Sequence, residues 1–338
     1  MKNLSSYLKS ISTELGILFL IIAMLPIFST YFITNSIFTN SIQSESKQKL
    51  SEIAQSAHLR IESYVNSMIA DVTTTAKMPI FKNVLLNNTE LDAEFLEFLE
   101  SFSLEKGYYD IILINKSGKI IFTLKKEEDL GLNIYEDPLK KSQLNKAIDS
   151  SNTLLQTEIS NFAYYAPSKT NAAFLSAPIF YDGYILGNIV FQIDNQELYK
   201  IINRYSGLGK SGEIIVGTKI DGEFQITAPT RNIPDIHGKN LQNEGFETIL
   251  KALDGEQGEG TYTDHRGKEV LGVWRYLPTL NWGMSVKTDT HELYKPIEHF
   301  RNITLSVALG SVLLVFLGVM LSKILISRPL VRLSKEVT

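Results

Sequence analysis

The sequence predicts an α+β protein in which a long N-terminal helix carries two modules, each an antiparallel sheet with flanking helices, and two transmembrane helices flank the whole. Three observations carry this expectation. Two long uncharged apolar runs lie near the ends of the chain, an amphipathic stretch free of Gly and Pro follows the first, and a pattern of strands and turns occurs twice between them. With 338 residues and a hydrophobic share of 44%, the chain can bury more than one core. A net charge of −4 supplies no basic field for a nucleic-acid partner. The absence of cysteine excludes disulfide frameworks, thiolate nucleophiles and zinc-thiolate sites.

The first apolar run, Leu15 to Ile33, has no charge, and the uncharged stretch continues to Asn40. At 1.5 Å per residue it covers the roughly 30 Å hydrocarbon core of a bilayer, and Pro26 is tolerated in such a helix. Residues 1–14 then form an N-terminal segment and 15–37 the first span. A cleaved signal peptide is the competing reading, with Lys2 and Lys9 as its basic start, but no small-x-small cleavage pattern follows the run. The second run, Ile303 to Leu321, gives a span at 303–322. Lys323, Arg328, Arg332 and Lys335 crowd its C-terminal side, which places that side and residues 1–14 in the cytoplasm. Two spans without an ionisable residue inside them read as the topology of a sensor rather than of a transporter.

Residues 41–300 form the extracytoplasmic part. From Ser41 to Met78 there is no Gly or Pro, and Leu50, Ala54, Ala57, Ile61, Val65, Met68 and Val72 share one face at helical period. The stretch predicts a long helix over 41–78 whose apolar face either packs on its own domain or forms a dimer seam. A shorter helix is expected around Leu91 to Phe102.

The internal repeat follows. In the first copy, Asp110 to Thr123 reads as strand, Ser-Gly turn and strand, a helix falls around Leu139 to Ile148, and Ala172 to Asp194 makes a hairpin across Asp182-Gly183. In the second, Gly212 to Thr227 makes a hairpin across Asp221-Gly222, a helix falls near Phe246 to Leu253, and Glu269 to Asp289 returns as a hairpin. FQIDNQELY ends the first copy and VKTDTHELY the second. Asp194 with Glu197, and Asp289 with Glu292, have the spacing of a capping box. The modules are bounded at about 80–194 and about 206–289.

YDIILINKSGKIIFT, NFAYYAPSKTNAAFLSAPIFYDGYILGNIVFQID and GLGKSGEIIVG, in that order between two spans, resemble the double Cache family: two PAS-like modules on a long helix, in the extracytoplasmic region of bacterial transmembrane receptors. The resemblance covers about Ser41 to Phe300. It implies a small-molecule ligand in the membrane-distal module, beneath the crossover NFAYYAPSK, with Tyr164, Tyr165, Phe174 and Ser176 as candidate contacts. It further implies a homodimer in the bacterial inner membrane, with the sensor periplasmic or extracellular. Residues 323–338, with SRPLVRLSKEV, resemble the opening helix of a HAMP linker cut short, so that an output domain is expected beyond Thr338. An amino-acid-binding branch of the family carries Arg-x-Trp-Tyr and a late-strand aspartate. This chain lacks the first and has Gln192 at the second, so an α-amino acid ligand is disfavoured.

Gln192 shares a strand face with Asn188 at period two. The two amides either line a neutral, hydrogen-bonding pocket or face solvent on a half-exposed strand. No constellation for catalysis emerges. His58, His237, His265, His291 and His299 are scattered, and no metal or cofactor is expected. GLGKSGE lacks the phosphate-loop spacing and precedes a strand. KKEEDLG reads as a solvated loop. Asp110 and Asp194 are the acids nearest the expected pocket, and Asp194 has a cap to make. The region is therefore read as a non-enzymatic receptor sensor, with the lipid bilayer as a partner. A membrane-anchored binding or adhesion module without signalling output is the alternative.

Overall fold

The computed structural model describes residues 2–220, 222–232, 245–322 and 324–325. His237, Asp221 and nearly all of the expected HAMP start at 323–338 lie outside the described residues. The chain divides into two units, Lys47–Asp289 and the pair of end segments Met1–Ser46 and Thr290–Thr338.

In the unit of end segments, helix α1 begins at Lys2 and continues to Ala76, and helix α7 runs Thr290–Ser322. Over Thr290–Leu321, α7 is long and apolar enough to cross a membrane, and none of its apolar window is buried. Leu309, Leu314 and Phe316 are largely exposed there. Such a surface is costly in water and costs nothing in lipid. The first apolar run lies within α1, where Pro26 is accommodated and Leu25, Phe28 and Phe32 are exposed. Among the described residues, the apolar stretch there is the shorter Met24–Ile33, so one membrane-length helix of the two expected is found among them.

In the other unit, the remainder of α1 is followed by α2 (Pro79–Asn87), α3 (Ala93–Lys106), β1 (Tyr108–Asn115), β2 (Ile120–Thr123), α4 (Gln143–Leu154), β3 (Glu158–Ile159), β4 (Ala163–Tyr165), β5 (Thr170–Ala172), β6 (Phe174–Tyr181) and β7 (Tyr184–Ile193). Then come α5 (Asn195–Ile202), β8 (Glu213–Ile220), β9 (Glu223–Ile226), α6 (Glu247–Leu253), β10 (Gly258–Thr263), β11 (Glu269–Leu277) and β12 (Trp282–Asp289). The first sheet has the order β2-β1-β7-β6-β3 and the second, read in the same sense, β9-β8-β12-β11-β10. The repeat seen in the sequence is thus a repeat of topology, with β1 matching β8 and β7 matching β12.

The apolar face of α1 is covered by its own domain. Ala54, Ala57, Ile61, Val65 and Val72 are fully buried, and each branched side chain so buried stabilises by roughly 1.5–3 kcal/mol. That face is therefore not available as a dimer seam, because the domain's own core already occupies it. Polar contacts fix the register of the helix. Ser51 accepts from Arg275 and Glu62 from the Thr279 amide in the second module, while Asp71 accepts from Tyr108 and Thr73 pairs with Thr157 in the first.

Local chemistry sets the element ends. Asp182 and Gly183 both adopt positive φ, 48° and 80°, as a two-residue hairpin of this hand requires. Asp92 and Ser142 cap α3 and α4 by accepting from amides of their first turns. Helix α4 starts after its cap at Ser142, later than the periodicity around Leu139 suggests. Asp194 caps α5 by accepting from Gln196, but Glu197 pairs with Lys200 rather than reaching back. Asp289 pairs with Arg266 and Lys268.

Candidate functional site

Side chains of antiparallel partners lie on the same face of a sheet. The register places Gln192 of β7 between Asp110 of β1 and Phe174 of β6. This row belongs to the face covered by α4 and the crossover, whose core includes Ile112, Leu144, Ile148, Tyr165 and Val190. The opposite face, with Phe191 and Ile193, also carries Tyr108, whose ring lies edge-on to Phe191. Asn188 and Gln192 are 3% and 1% exposed, which eliminates the solvent-facing reading of the two amides.

The six expected site residues separate into three groups. Tyr165, Phe174 and Gln192 come together: the Tyr165 and Phe174 rings meet edge to face with centroids 4.8 Å apart. Asn188 and Ser176 sit farther along the same face in a closed network. Asn188 donates to Ser151, Asn152 and Ser176, and the Ser151 and Ser176 hydroxyls lie 2.9 Å apart. That network fastens α4 to the sheet. Tyr164, on the other side of β4 from Tyr165, is 67% exposed.

Three residues outside the expected set complete the cluster. Ser168, in the crossover, accepts from the Gln192 amide at 3.1 Å. Asp129 is fully buried, and its Oδ2 accepts from the Tyr165 hydroxyl at 2.8 Å. Asp110, also fully buried, accepts at Oδ1 from the amides of Ile111 and Lys125. Asp110 was legible as a nearby acid. Asp129 was hidden in the KKEEDLG run, which reads as solvated but folds back along β2 through Gly131 to Ile120 and Ile120 to Leu132 backbone bonds, carrying its aspartate inward.

The electrostatics of this cluster are one-sided. Asp110 Oδ2, Asp129 Oδ1 and Gln192 Oε1 are buried acceptors without a hydrogen-bond partner. Burial pushes the Asp110 carboxyl up to about 6, against the bonds from Lys125, Ile111 and Thr123, and the charge of Asp129 adds to the rise. Burial also raises Asp129, although the Tyr165 hydroxyl pulls it down. Neither carboxylate has a cationic partner among the described residues. Unpaired buried acceptors cost free energy that a donor would recover. Gln192 and Ser168 of the cluster also line a cleft of about 850 Å³, together with Thr170, Asn171, Asn195 and Tyr199, whereas Asp110, Asp129, Tyr165 and Phe174 lie behind them and do not line it. A groove of similar volume runs along the outer face of α1 past Gln55, Arg60 and Ser63, and it has no buried acid.

In the second module the same positions are filled differently. Glu213 of β8 pairs in register with Lys287 of β12, as Asp110 does with Gln192. The Lys287 ammonium, 1% exposed, lies 3.1 Å from Glu213 and 2.5 Å from Asp264. Arg266 bonds Asp264 and Asp289. Burial pushes Asp264 up, but the bonds from Lys287 and Arg266 outweigh it and hold the carboxyl below its usual range. Burial and the Lys287 charge push His265 down to about 4. Glu213, Asp264 and His265 approach one another closely enough to ligate a metal, a grouping that scattered histidines did not suggest. The cation at that grouping is the lysine itself.

A family model for the Cache domain matches residues 38–297. None of the curated proteins matches the chain. Solved structures share its fold. The ligand-binding domain of Mlp24 with asparagine is 18% identical, with 77% of this chain and 98% of that one covered and a TM-score of 0.53. The ligand-binding domain of the Pseudomonas fluorescens chemoreceptor CtaA in complex with L-leucine is 14% identical, covers 75% and 99%, and has a TM-score of 0.53. That of the Pseudomonas aeruginosa PAO1 amino acid chemoreceptor PctB in complex with L-Arg is 13% identical, covers 74% and 98%, and has a TM-score of 0.52.

These structures overturn the expectation that an α-amino acid is disfavoured, since domains of this fold hold asparagine, L-leucine and L-arginine. The expectation rested on the missing Arg-x-Trp-Tyr and on Gln192 standing in place of an aspartate. The register puts the buried carboxylate of Asp110 directly across from Gln192, so an anionic group is present beside that position on the neighbouring strand.

Proposed function

The chain belongs to the Cache domain family and carries a receptor sensor domain, and on that premise we propose that its first module binds a small molecule through an ammonium group, amino acids included. The observation that carries the reading is the set of buried acceptor atoms Asp110 Oδ2, Asp129 Oδ1 and Gln192 Oε1, which have no hydrogen-bond partner among the described residues, with no cation paired to either carboxylate among those residues. A ligand ammonium supplies up to three donors and one positive charge, which is what the cluster lacks. Tyr165 and Phe174 then pack on the ligand's carbon skeleton, and Ser168 orients the Gln192 amide. Ser176 and Asn188 shape the floor by holding α4, and Tyr164 stays at the rim of the crossover.

The wider proposal is a two-pass receptor of the bacterial inner membrane, spanning at 15–37 and 303–322, with the sensor outside, a homodimeric assembly and a cytoplasmic output joined through a HAMP linker. Ligand entry favours one packing of the crossover and α4 on the sheet, and the change passes through α7. An effect follows only from a difference in affinity between two states, and a tenfold shift requires about 1.4 kcal/mol.

The test is a thermal-shift screen of the full chain in nanodiscs against L-amino acids, alkylamines and carboxylates lacking an amine. Amine-bearing compounds are expected to stabilise by mass action, and Asp110→Asn to weaken their binding at least tenfold. Stabilisation by amine-free carboxylates alone would contradict the reading.

A further inference from the structure

We infer that the second module is an ammonium site permanently closed by its own lysine, with Lys287 standing as a tethered counterpart of the small-molecule ammonium. Three observations carry this, and none depends on a ligand being bound in the first module. The two sheets have the same strand order, and Lys287 and Gln192 each stand two residues before the aspartate of the D-x-x-E-L-Y segment that ends their sheet. In both modules that residue is the cross-strand partner of the acid opening the module's first apolar strand run, Glu213 or Asp110. Finally, the Lys287 ammonium is enclosed: Glu213 lies at 3.1 Å, Asp264 at 2.5 Å and His265 Nδ1 at 3.4 Å, with the side chain 1% exposed.

The acids that hold the lysine are themselves supported. Glu213 accepts from the Asn232 amide. Asp264 accepts from Arg266 through its backbone and side chain, and the His265 ring stacks on Phe246 with centroids 5.0 Å apart. The pocket walls are thus built without the lysine stem, and removing that stem leaves an anionic cavity of the shape of a short alkylammonium. This assigns the module a chemical class of ligand, a primary alkylammonium, and explains why it needs none from solution.

Lys287→Ala deletes three methylenes and the ammonium, which together are propylammonium. The full-length variant in nanodiscs is expected to melt well below the parent, and propylammonium to raise its Tm by about 2–4 °C more than equal concentrations of sodium chloride or tetramethylammonium. The parent protein should show no such difference, because its lysine fills the cavity. Where Lys287→Ala does not fold alone, refolding with and without propylammonium gives the same reading: recovery only with the ammonium supports the inference, and recovery in neither contradicts it. Glu213→Gln combined with Lys287→Met removes the pair and should fold without responding to propylammonium. Rescue by sodium chloride to the same extent, or by a divalent metal and not by propylammonium, would overturn the inference.

Discussion

The two modules solve one electrostatic problem in opposite ways. Each opens its sheet with a buried acid, Asp110 or Glu213, and each sets the same neighbouring strand position against it. In the second module that position is Lys287, whose ammonium neutralises Glu213 at 3.1 Å within the chain, although Glu213 Oε1 has no hydrogen bond of good geometry. In the first it is Gln192, whose own carbonyl is unpartnered, so acceptors accumulate without a donor. A fold that repeats its backbone need not repeat its function. One copy has its charge neutralised internally, and in the proposed reading the other leaves its charge for a ligand.

The largest expected effect separates the copies by their cost of truncation. Lys287→Met strands Glu213 and leaves Asp264 to Arg266 alone, and should lower unfolding free energy by about 3–5 kcal/mol. Gln192→Met, at the equivalent position, removes no charge and should cost under about 1.5 kcal/mol. Urea melts of the two variants giving equal losses would break the comparison.

Next in size is Asp110→Asn, with the opposite sign. The native carboxyl lies at about 6, above its ordinary 3.8, so the folded state holds its proton more tightly than the unfolded one. Stability from this group is therefore present at low pH and falls as pH rises from about 4 to about 6, reaching a ceiling near 3 kcal/mol for the two-unit difference. Asn keeps an acceptor for the Ile111 and Lys125 amides. The variant should exceed the ligand-free parent in stability above pH 6 and match it below pH 4, as read from melts across that range. Amine binding to the parent should weaken as pH falls below 6.

Tyr165→Phe should cost at least about 1.5 kcal/mol, because it removes the donor to a buried charge at Asp129. Tyr164→Ala, one residue away and exposed, should fall within about 0.5 kcal/mol of the parent. Chemical denaturation of the pair checks which side of β4 faces the core.

How far these features were legible follows from the range of the interactions that make them. The repeat, the Asp182-Gly183 turn, the Asp194 cap and the buried face of α1 arise from local chemistry and periodicity, and they read directly from the chain. Alternation also grouped Asn188 with Gln192. It could not tell which face of the sheet is covered, nor that Asn188 closes a network with Ser151 while Gln192 lies across from Asp110. Those outcomes depend on strand register between distant segments. Asp129 was misread as solvated because charge density is a composition signal, whereas its burial comes from backbone bonds of the loop to Ile120. Helix α2 begins at Pro79 and was not among the expected elements, which passed from the long helix ending at Met78 to the one around Leu91, although Pro at the first helical position is a start signal.

The most direct measurement copies one module's chemistry into the other. Gln192→Lys in the full chain places an ammonium beside Asp110, as Lys287 stands beside Glu213. The ligand-free variant is expected to melt above the parent at neutral pH and to show no thermal shift with any amine that stabilises the parent. An unchanged shift with those amines would contradict the account, because it would mean that the ligand's charge is read somewhere other than at Asp110.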